Sequence, residues 1–271
     1  MLLAAGLSWA EAETGVCHLA APGMLIDVTV EDESERVNSK AARVKLRDRS
    51  GVIAEVLLTS FRTAELRLAA VAKRGNASPG LVSRIFARLT SLNILKQDGA
   101  GPKRFWRLAD PGALLDLWSA EERQPERSTN LYVWSRSPEA LMEKLPLLEK
   151  QKILWAVAGV AAANLYAPTL TVTPAPIIWV DASLPVSEIA SVLAGEVVEK
   201  GSNLEVWQSP GNLSFEALRR WGPARESLVP LAGDLLPLVS QPRAYIEALA
   251  GPGRAPEVAQ NLRERMLNSN D

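Results

Sequence analysis

Cysteine and histidine are almost missing from this chain: Cys17 and His18 are the sole representatives of their types among 271 residues. A single cysteine excludes a disulfide framework within one monomer, and one residue of each type excludes a Cys/His zinc site. Ser-His-Asp chemistry would have to run through His18, and an adjacent Cys-His pair fits packing better than catalysis. Scarce cysteine fits a reducing cytoplasm. Long apolar runs are missing too. None reaches the roughly 18 consecutive apolar residues of a membrane span, and the longest candidate, residues 153–166, stops before Pro168. The start, MLLAAGLSWAEAE, lacks a basic leader and carries Glu11 and Glu13, so it does not read as a signal peptide. Excess charge of either sign is also absent. With 30 basic and 31 acidic residues the net charge is −1, and nothing global points to nucleic acid.

What is present is apolar content of 47%, enough for substantial cores, in a length with room for two domains. The balanced charge also hides a segregation. Residues 61–108 hold ten basic side chains (Arg62, Arg67, Lys73, Arg74, Arg84, Arg88, Lys96, Lys103, Arg104 and Arg107) against Glu65 and Asp98, a local charge of +8. From residue 109 onward there are 14 basic and 20 acidic residues, a charge of −6. A basic module beside an acidic one is an electrostatic footprint for a polyanion.

Patterning predicts what that basic module is built from. Residues 1–31 read as a short helix and two strands, VCHLAA and MLIDVTVE, joined at Pro22-Gly23. That is too little to stand alone and too apolar for a free tail, so it is expected to dock on the next domain or on a second protomer. Residues 32–40 read as a linker. From Arg49, Val52, Ile53, Val56 and Leu57 form one helical stripe. A second helix is expected from Thr63 as N-cap, with Leu66, Ala69, Ala70 and Lys73 on one face, stopping at Gly75-Asn76. Ser78 caps a third helix with Pro79 in its first position; Val82, Ile85, Phe86, Leu89 and Leu92 form its apolar face. Two short strands around DGAGP make a hairpin, and Asp110-Pro111 opens another helix.

Three helices followed by a two-stranded wing is the winged helix-turn-helix pattern. With the apolar face inward, the third helix shows Gly80, Ser83, Arg84, Ala87, Arg88 and Ser91 on its other side. Small residues allow close approach to a groove, and Arg84 and Arg88 can grip guanine with two hydrogen bonds. Ser78 with the free N–H groups at the helix start suits a phosphate. Lys103 and Arg104 on the wing suit the flanking backbone. The candidate DNA-binding set is therefore Ser78, Gly80, Ser83, Arg84, Arg88, Lys103 and Arg104.

SPGLVSRIFARLTSLNIL, the wing, and LADPGALLDLW together resemble the winged-helix segment of the AbiEi-like antitoxin family, the regulator half of type IV toxin–antitoxin systems. The similarity continues through WSRSPEALMEKL, WAVAGVAAANLYAP, IIWVD, NLEVW and VSQPRAYIEALAGPGRAPEVAQNLRE, in family order. LLAAGLSWAEAETGVCHLAAPGMLIDVTVE resembles the end of a nuclease-like domain of longer relatives. The resemblance implies an antitoxin-like repressor of its own promoter, with double-stranded DNA, a cognate toxin and a second copy of the chain as partners.

The second half mixes helices and strands. SPEALMEKLPLLEK, VAAANLY, VSEIASVLAG, SQPRAYIEALAG and PEVAQNLRERML read as helices. ILWAVAG is an apolar run, and TLTVT, IIWVD, EVVEK and NLEVW read as strands. Gly159 followed by alanines, then a strand ending in Asp181, is similar to a nucleotidyltransferase pattern, in which a glycine-led helix holds phosphates and a D-x-D pair holds two metal ions. Here Pro174 and Pro176 stand at the places of that pair. Asp181 is alone, and Glu196, Glu199 and Glu205 have no partner two residues on. The expectation is an α+β chain in three parts. Residues 1–38 are a remnant plus linker, 39–125 a winged helix-turn-helix, and 130–271 an α/β domain resembling a degenerate, inactive nucleotidyltransferase without metal or cofactor. A nucleotidyltransferase or nucleotide-binding enzyme using the C-terminal domain, and a pure protein-interaction module, are the alternatives.

Overall fold

The computed structural model describes residues 44–122, 127–208 and 236–268, together with the backbone of three strands, β1 (Trp9–Glu11), β2 (Val16–Ala21) and β3 (Met24–Thr29). These three form an antiparallel sheet in the order β1-β2-β3. The short N-terminal helix is thus replaced at 9–11 by a strand. The Pro22-Gly23 turn, the 32–40 linker and the side chains on which docking of residues 1–31 rests lie outside the described residues.

Helix α1 (Arg49–Ser60) buries the expected stripe of Val52, Ile53, Val56 and Leu57. It also buries Glu55, 2% exposed in the middle of that stripe. Helix α2 is Leu68–Arg74 with Arg67 as its N-cap, four residues later than the Thr63 cap expected. The reason is tertiary. The Leu66 N–H donates to the Trp106 carbonyl at 2.7 Å and the Trp106 N–H to the Leu66 carbonyl at 3.0 Å. Leu66 is committed to a strand-like bridge, and a helix cannot begin before it. Its buried face is accordingly Val71 and Ala72, while Ala69, Ala70 and Lys73 are exposed. Asn76, at φ 45°, supplies the left-handed stop. Gly75 matters for packing instead. A Cβ there would collide with the Ile53 side chain, so its hydrogen lets α2 close onto α1.

Helix α3 (Pro79–Ser91) starts as its residues dictate, with the Ser78 Oγ accepting from the Leu81 N–H at 3.2 Å and Pro79 in the first turn. Val82, Ile85, Phe86 and Leu89 are buried, each such burial contributing about 1.5–3 kcal/mol. Leu92, expected on that face, is 48% exposed, because the helix ends there and the chain turns through Asn93 at φ 59°. Strands β4 (Leu95–Asp98) and β5 (Phe105–Leu108) pair antiparallel around the short turn at Gly101–Lys103. Phe86 meets Trp106 edge-on with ring centroids 5.0 Å apart, which joins α3 to the hairpin. Helix α4 (Pro111–Glu121) is capped by Asp110, whose Oδ1 accepts from the Ala113 N–H at 2.8 Å.

The second half is built on a five-stranded mixed sheet. Its strands are β6 (Ser128–Val133), β7 (Trp155–Ala158), β8 (Ile177–Val180), β9 (Gly195–Val197) and β10 (Leu204–Gln208), in the order β7-β8-β10-β6-β9. Strands β8 and β10 run parallel; the other neighbouring pairs of this sheet are antiparallel. Short helices α5 (Pro138–Met142) and α6 (Leu147–Lys150) replace the single helix expected over SPEALMEKLPLLEK. Pro146 has no N–H to continue it. Helices α7 (Gly159–Tyr166), α8 (Val186–Leu193), α9 (Gln241–Leu249) and α10 (Ala255–Asn268) follow the expected segments. TLTVT forms no strand. The Asn164 Oδ1 accepts the N–H groups of Thr169 and Leu170, both at 2.9 Å, so those donors are taken before Pro174 and Pro176 end any pairing.

The apolar core runs without a break from Leu46 to Met266, across both halves. Polar bonds stitch the seam. Arg62 donates to the carbonyls of Met266 and Leu267 at the end of α10. Arg263 pairs with Asp116 at 2.9 Å. Glu55 on α1 meets Ser240 and Arg243 at the start of α9. The fold class is α+β, as expected.

Candidate nucleic-acid interface

The amphipathic spacing of α3 decides which of its side chains reach water. Ser78, Gly80, Ser83 and Arg84 are all exposed over its first two turns. Nothing lies within 4 Å of the place a Gly80 side chain would take, so the start of this helix presents an open surface. The Ser78 Oγ accepts its own helix's Leu81 N–H and keeps its hydroxyl proton to donate. The Arg84 Nε donates to the Gly80 carbonyl at 3.3 Å, one turn back, which draws the guanidinium along the helix toward its N-terminal end. Lys103 and Arg104 are exposed at the hairpin turn, with Lys96 exposed on β4. Lys73 and Arg74 are exposed in the last turn of α2, where cations also suit the helix dipole.

Arg88 is not brought to this surface. Its Nη1 donates to the Val44 carbonyl at 2.5 Å and to the Glu121 Oε2 at 2.7 Å, and its Nη2 to the Glu121 Oε1 at 2.6 Å. The two side chains are 13% and 15% exposed. Glu121 also accepts the Leu46 N–H at 2.7 Å. Hydrogen bonding to Glu121 raises the Arg88 pKa above its ordinary value. Burial works to raise the Glu121 carboxyl, but the Arg88 and Leu46 hydrogen bonds and nearby positive charge outweigh it and hold the group below its ordinary value. Arg88 therefore ties α3 to α4 and to the segment leading into α1. Its place on the helix, one turn from Arg84, put it with the exposed set; its partner, 33 residues away, is what turns it inward.

Two further cations are partly spent. Arg62 caps α10, and Arg107 lies over the Phe105 ring at 5.2 Å and 3.9 Å from Glu65. That last pair, 60% and 52% exposed, contributes little.

The second candidate centre is the glycine-led start of α7. Gly159 sits at φ 59°, and a Cβ there would come within 2.8 Å of the Ile177 side chain. Its N–H does not face an open pocket. It donates at 2.9 Å to the Glu247 Oε2, whose other oxygen accepts from the Trp179 Nε1 at 2.7 Å. Asp181 accepts from the Ser183 N–H at 2.8 Å and the Ser183 hydroxyl at 2.6 Å, bonds that hold its carboxyl below the ordinary range and shape the turn into α8. Among the described residues no group of three His, Cys, Asp or Glu side chains is placed to hold a metal ion.

Comparison with known families, curated proteins and solved structures finds no match.

Among the described residues no helix is long and apolar enough to cross a membrane. The residues that sequence reasoning missed are charged ones out of full contact with water: Glu55 and Arg243, which are buried, and Glu121 and Glu247, which are partly buried. One signal was available. Glu55 lies inside the Val52–Leu57 stripe, and a charge at a core position asks for a partner.

Proposed function

We propose that this chain is a DNA-binding transcriptional regulator whose residues 44–121 act as a winged helix-turn-helix, with α3 in the major groove and the β4–β5 hairpin as the wing. The observation that carries the reading is the first half of α3. Ser78, Gly80, Ser83 and Arg84 are exposed there, opposite a face buried on Val82, Ile85 and Phe86, in the most basic part of the chain. Arg84, near the helix N-terminus, reads a base; Lys103 and Arg104 contact phosphates. Arg88 leaves the contact set and becomes the strut that holds the reading helix.

The antitoxin-like role, with its own promoter as target and a cognate toxin and a second copy as partners, goes with the resemblance in sequence; a cytoplasmic place goes with the scarcity of cysteine. Finding a nucleotidyltransferase-like toxin gene beside this one would support it; a solitary gene would leave the regulator reading alone. Against the enzyme alternative stand the Glu247 carboxylate at the Gly159 N–H and Asp181 folded onto Ser183. The Gly159 N–H, which would have to bind a phosphate, is already taken by a carboxyl oxygen of Glu247.

The test is a salt titration of duplex binding with wild type and Arg84→Ala, each on the promoter fragment and on scrambled sequence. Salt-dependent binding by wild type, and relaxed specificity with Arg84→Ala, is the expected result. Salt-independent binding, or none, ends the proposal.

A further inference from the structure

The seam between the two halves holds three charged side chains out of water. Glu55 on α1 accepts from the Ser240 hydroxyl at 2.6 Å and from the Arg243 Nε at 3.0 Å, and the Arg243 Nη2 lies 3.0 Å from the same carboxylate oxygen. Glu247, one turn further along α9, is 3.9 Å from the Arg243 Nη1. The side chains of Glu55, Arg243 and Glu247 are 3%, 7% and 8% exposed. One guanidinium thus faces two carboxylates, closely bonded to one and only near the other. With all three ionised the cluster carries a net negative charge in a poorly solvated place, which is costly.

We propose that Glu247 is a proton-binding site that sets the strength of the contact between α1 and α9. With Glu247 neutral, Arg243 serves Glu55 alone and the seam is charge-balanced; with Glu247 ionised, one cation is shared between two carboxylates and the seam weakens. This does not depend on the DNA-binding reading.

The surroundings of Glu247 support it from every side. On its own helix the charged neighbour is Arg243. From α1 comes Glu55, which disfavours a second negative charge. From α7 comes the Gly159 N–H; the Tyr166 hydroxyl, held protonated by burial and by Glu55, is spent on the Val239 carbonyl. From β8 comes the Trp179 N–H. Past the end of α4, Glu122 accepts from the Trp118 Nε1 at 2.7 Å and adds negative potential at Arg243, which lies over the Trp118 ring at 5.3 Å. From α10, Arg263 and Arg265 are engaged with Asp116 and with the Tyr166 carbonyl. Burial dominates and Glu55 adds to it. Against them work Arg243 and the two N–H donors, and the carboxyl is pushed up from 4.5 to about 7. A carboxyl raised in the folded state binds its proton more tightly there than in the unfolded chain. Its contribution to stability is therefore largest in acid and falls as pH rises through about 7.

The experiment compares thermal unfolding of the full chain and of Glu247→Gln at constant ionic strength between about pH 5.5 and 8.5. The readout is the change with pH in the difference between the two melting temperatures. That cancels every contribution common to the two proteins and any fixed cost of the amide. The expected result is that wild type loses at least about 4 °C relative to Glu247→Gln as pH rises through neutrality. Hydrogen exchange of peptides from α1 and α9, corrected for intrinsic rates, is expected to lose protection in wild type over the same interval. Melting profiles that stay parallel overturn the proposal. Where Glu247→Gln does not fold, infrared titration of wild type decides. A protonated-carboxyl band that disappears with a midpoint near neutral pH supports the site, and a carboxylate ionised throughout the range overturns it.

Discussion

Two arginines of this chain meet carboxylates away from water, and the two meetings respond to protons in opposite ways. In the brace between α3 and α4, Arg88 gives Glu121 two hydrogen bonds of 2.6 and 2.7 Å, and the Leu46 N–H gives a third. That charge is well satisfied, and the Glu121 pKa lies below its ordinary value. In the seam between α1 and α9, Arg243 spends its close contacts on Glu55 and stands 3.9 Å from Glu247, whose pKa is raised. The lesson is one of stoichiometry. A single guanidinium neutralises one buried carboxylate; a second carboxylate on the same cation stays charged only at a cost. The brace stabilises the fold above the ordinary carboxylate range and is lost as pH falls through the depressed Glu121 value. The seam contribution of Glu247 is lost as pH rises.

Removing the shared cation breaks the comparison most severely. Arg243→Met leaves Glu55 and Glu247 facing each other without compensation, and is expected to cost about 3–5 kcal/mol in urea unfolding at neutral pH. Part of that loss is expected to return in acid, where keeping the Glu247 carboxyl protonated costs less. A loss that does not depend on pH would mean that packing over Trp118, not charge, is what Arg243 supplies.

Removing the brace comes next. Arg88→Ala is expected to cost about 1.5–3 kcal/mol, the range for hydrogen bonds to a charged group. A double-mutant cycle with Glu121→Gln is expected to show strong coupling between the two positions. Additive losses would deny the pair its role. Duplex binding at temperatures where Arg88→Ala is folded is expected to keep its salt slope, because the Arg88 guanidinium is engaged with Val44 and Glu121 inside the protein.

Arg84→Ala, one turn away on the same helix, sharpens the contrast between an inward and an outward arginine. Its effect on stability is expected to stay within about 0.5 kcal/mol, since the side chain is exposed. Its effect on binding is expected to reach about 1–3 kcal/mol on the promoter and to be much smaller on scrambled duplex. Equal losses of stability in Arg84→Ala and Arg88→Ala would erase the distinction.

The smallest effect is expected at the hairpin turn. Lys103→Ala or Arg104→Ala should weaken binding to all sequences alike and flatten the dependence of log K on log salt by about one unit. An unchanged slope would remove the hairpin from the interface.

Local chemistry in the sequence was sufficient for much of this. The apolar period of α1 and α3, the caps at Ser78, Asp110, Ser137 and Ser240, and the glycine-rich hairpin turn each act within a few residues, so neighbours in sequence determine them. The exposed part of the candidate interface was legible for the same reason: Ser83 and Arg84 lie opposite Val82, Ile85 and Phe86 by helical geometry alone. The start of α2 was not, because Leu66 is claimed by Trp106, 40 residues on, and a long-range bridge overrides a nearby cap. Nor were the fates of Arg88 and Glu55. Their spacing assigns a helix face, but whether a charge on that face stays in water depends on what packs against it. For Arg88 that is Glu121, 33 residues away, and for Glu55 it is Ser240 and Arg243, 185 and 188 residues away. A buried charge is tolerable only where its counter-charge arrives within hydrogen-bonding distance, and only the tertiary structure delivers it.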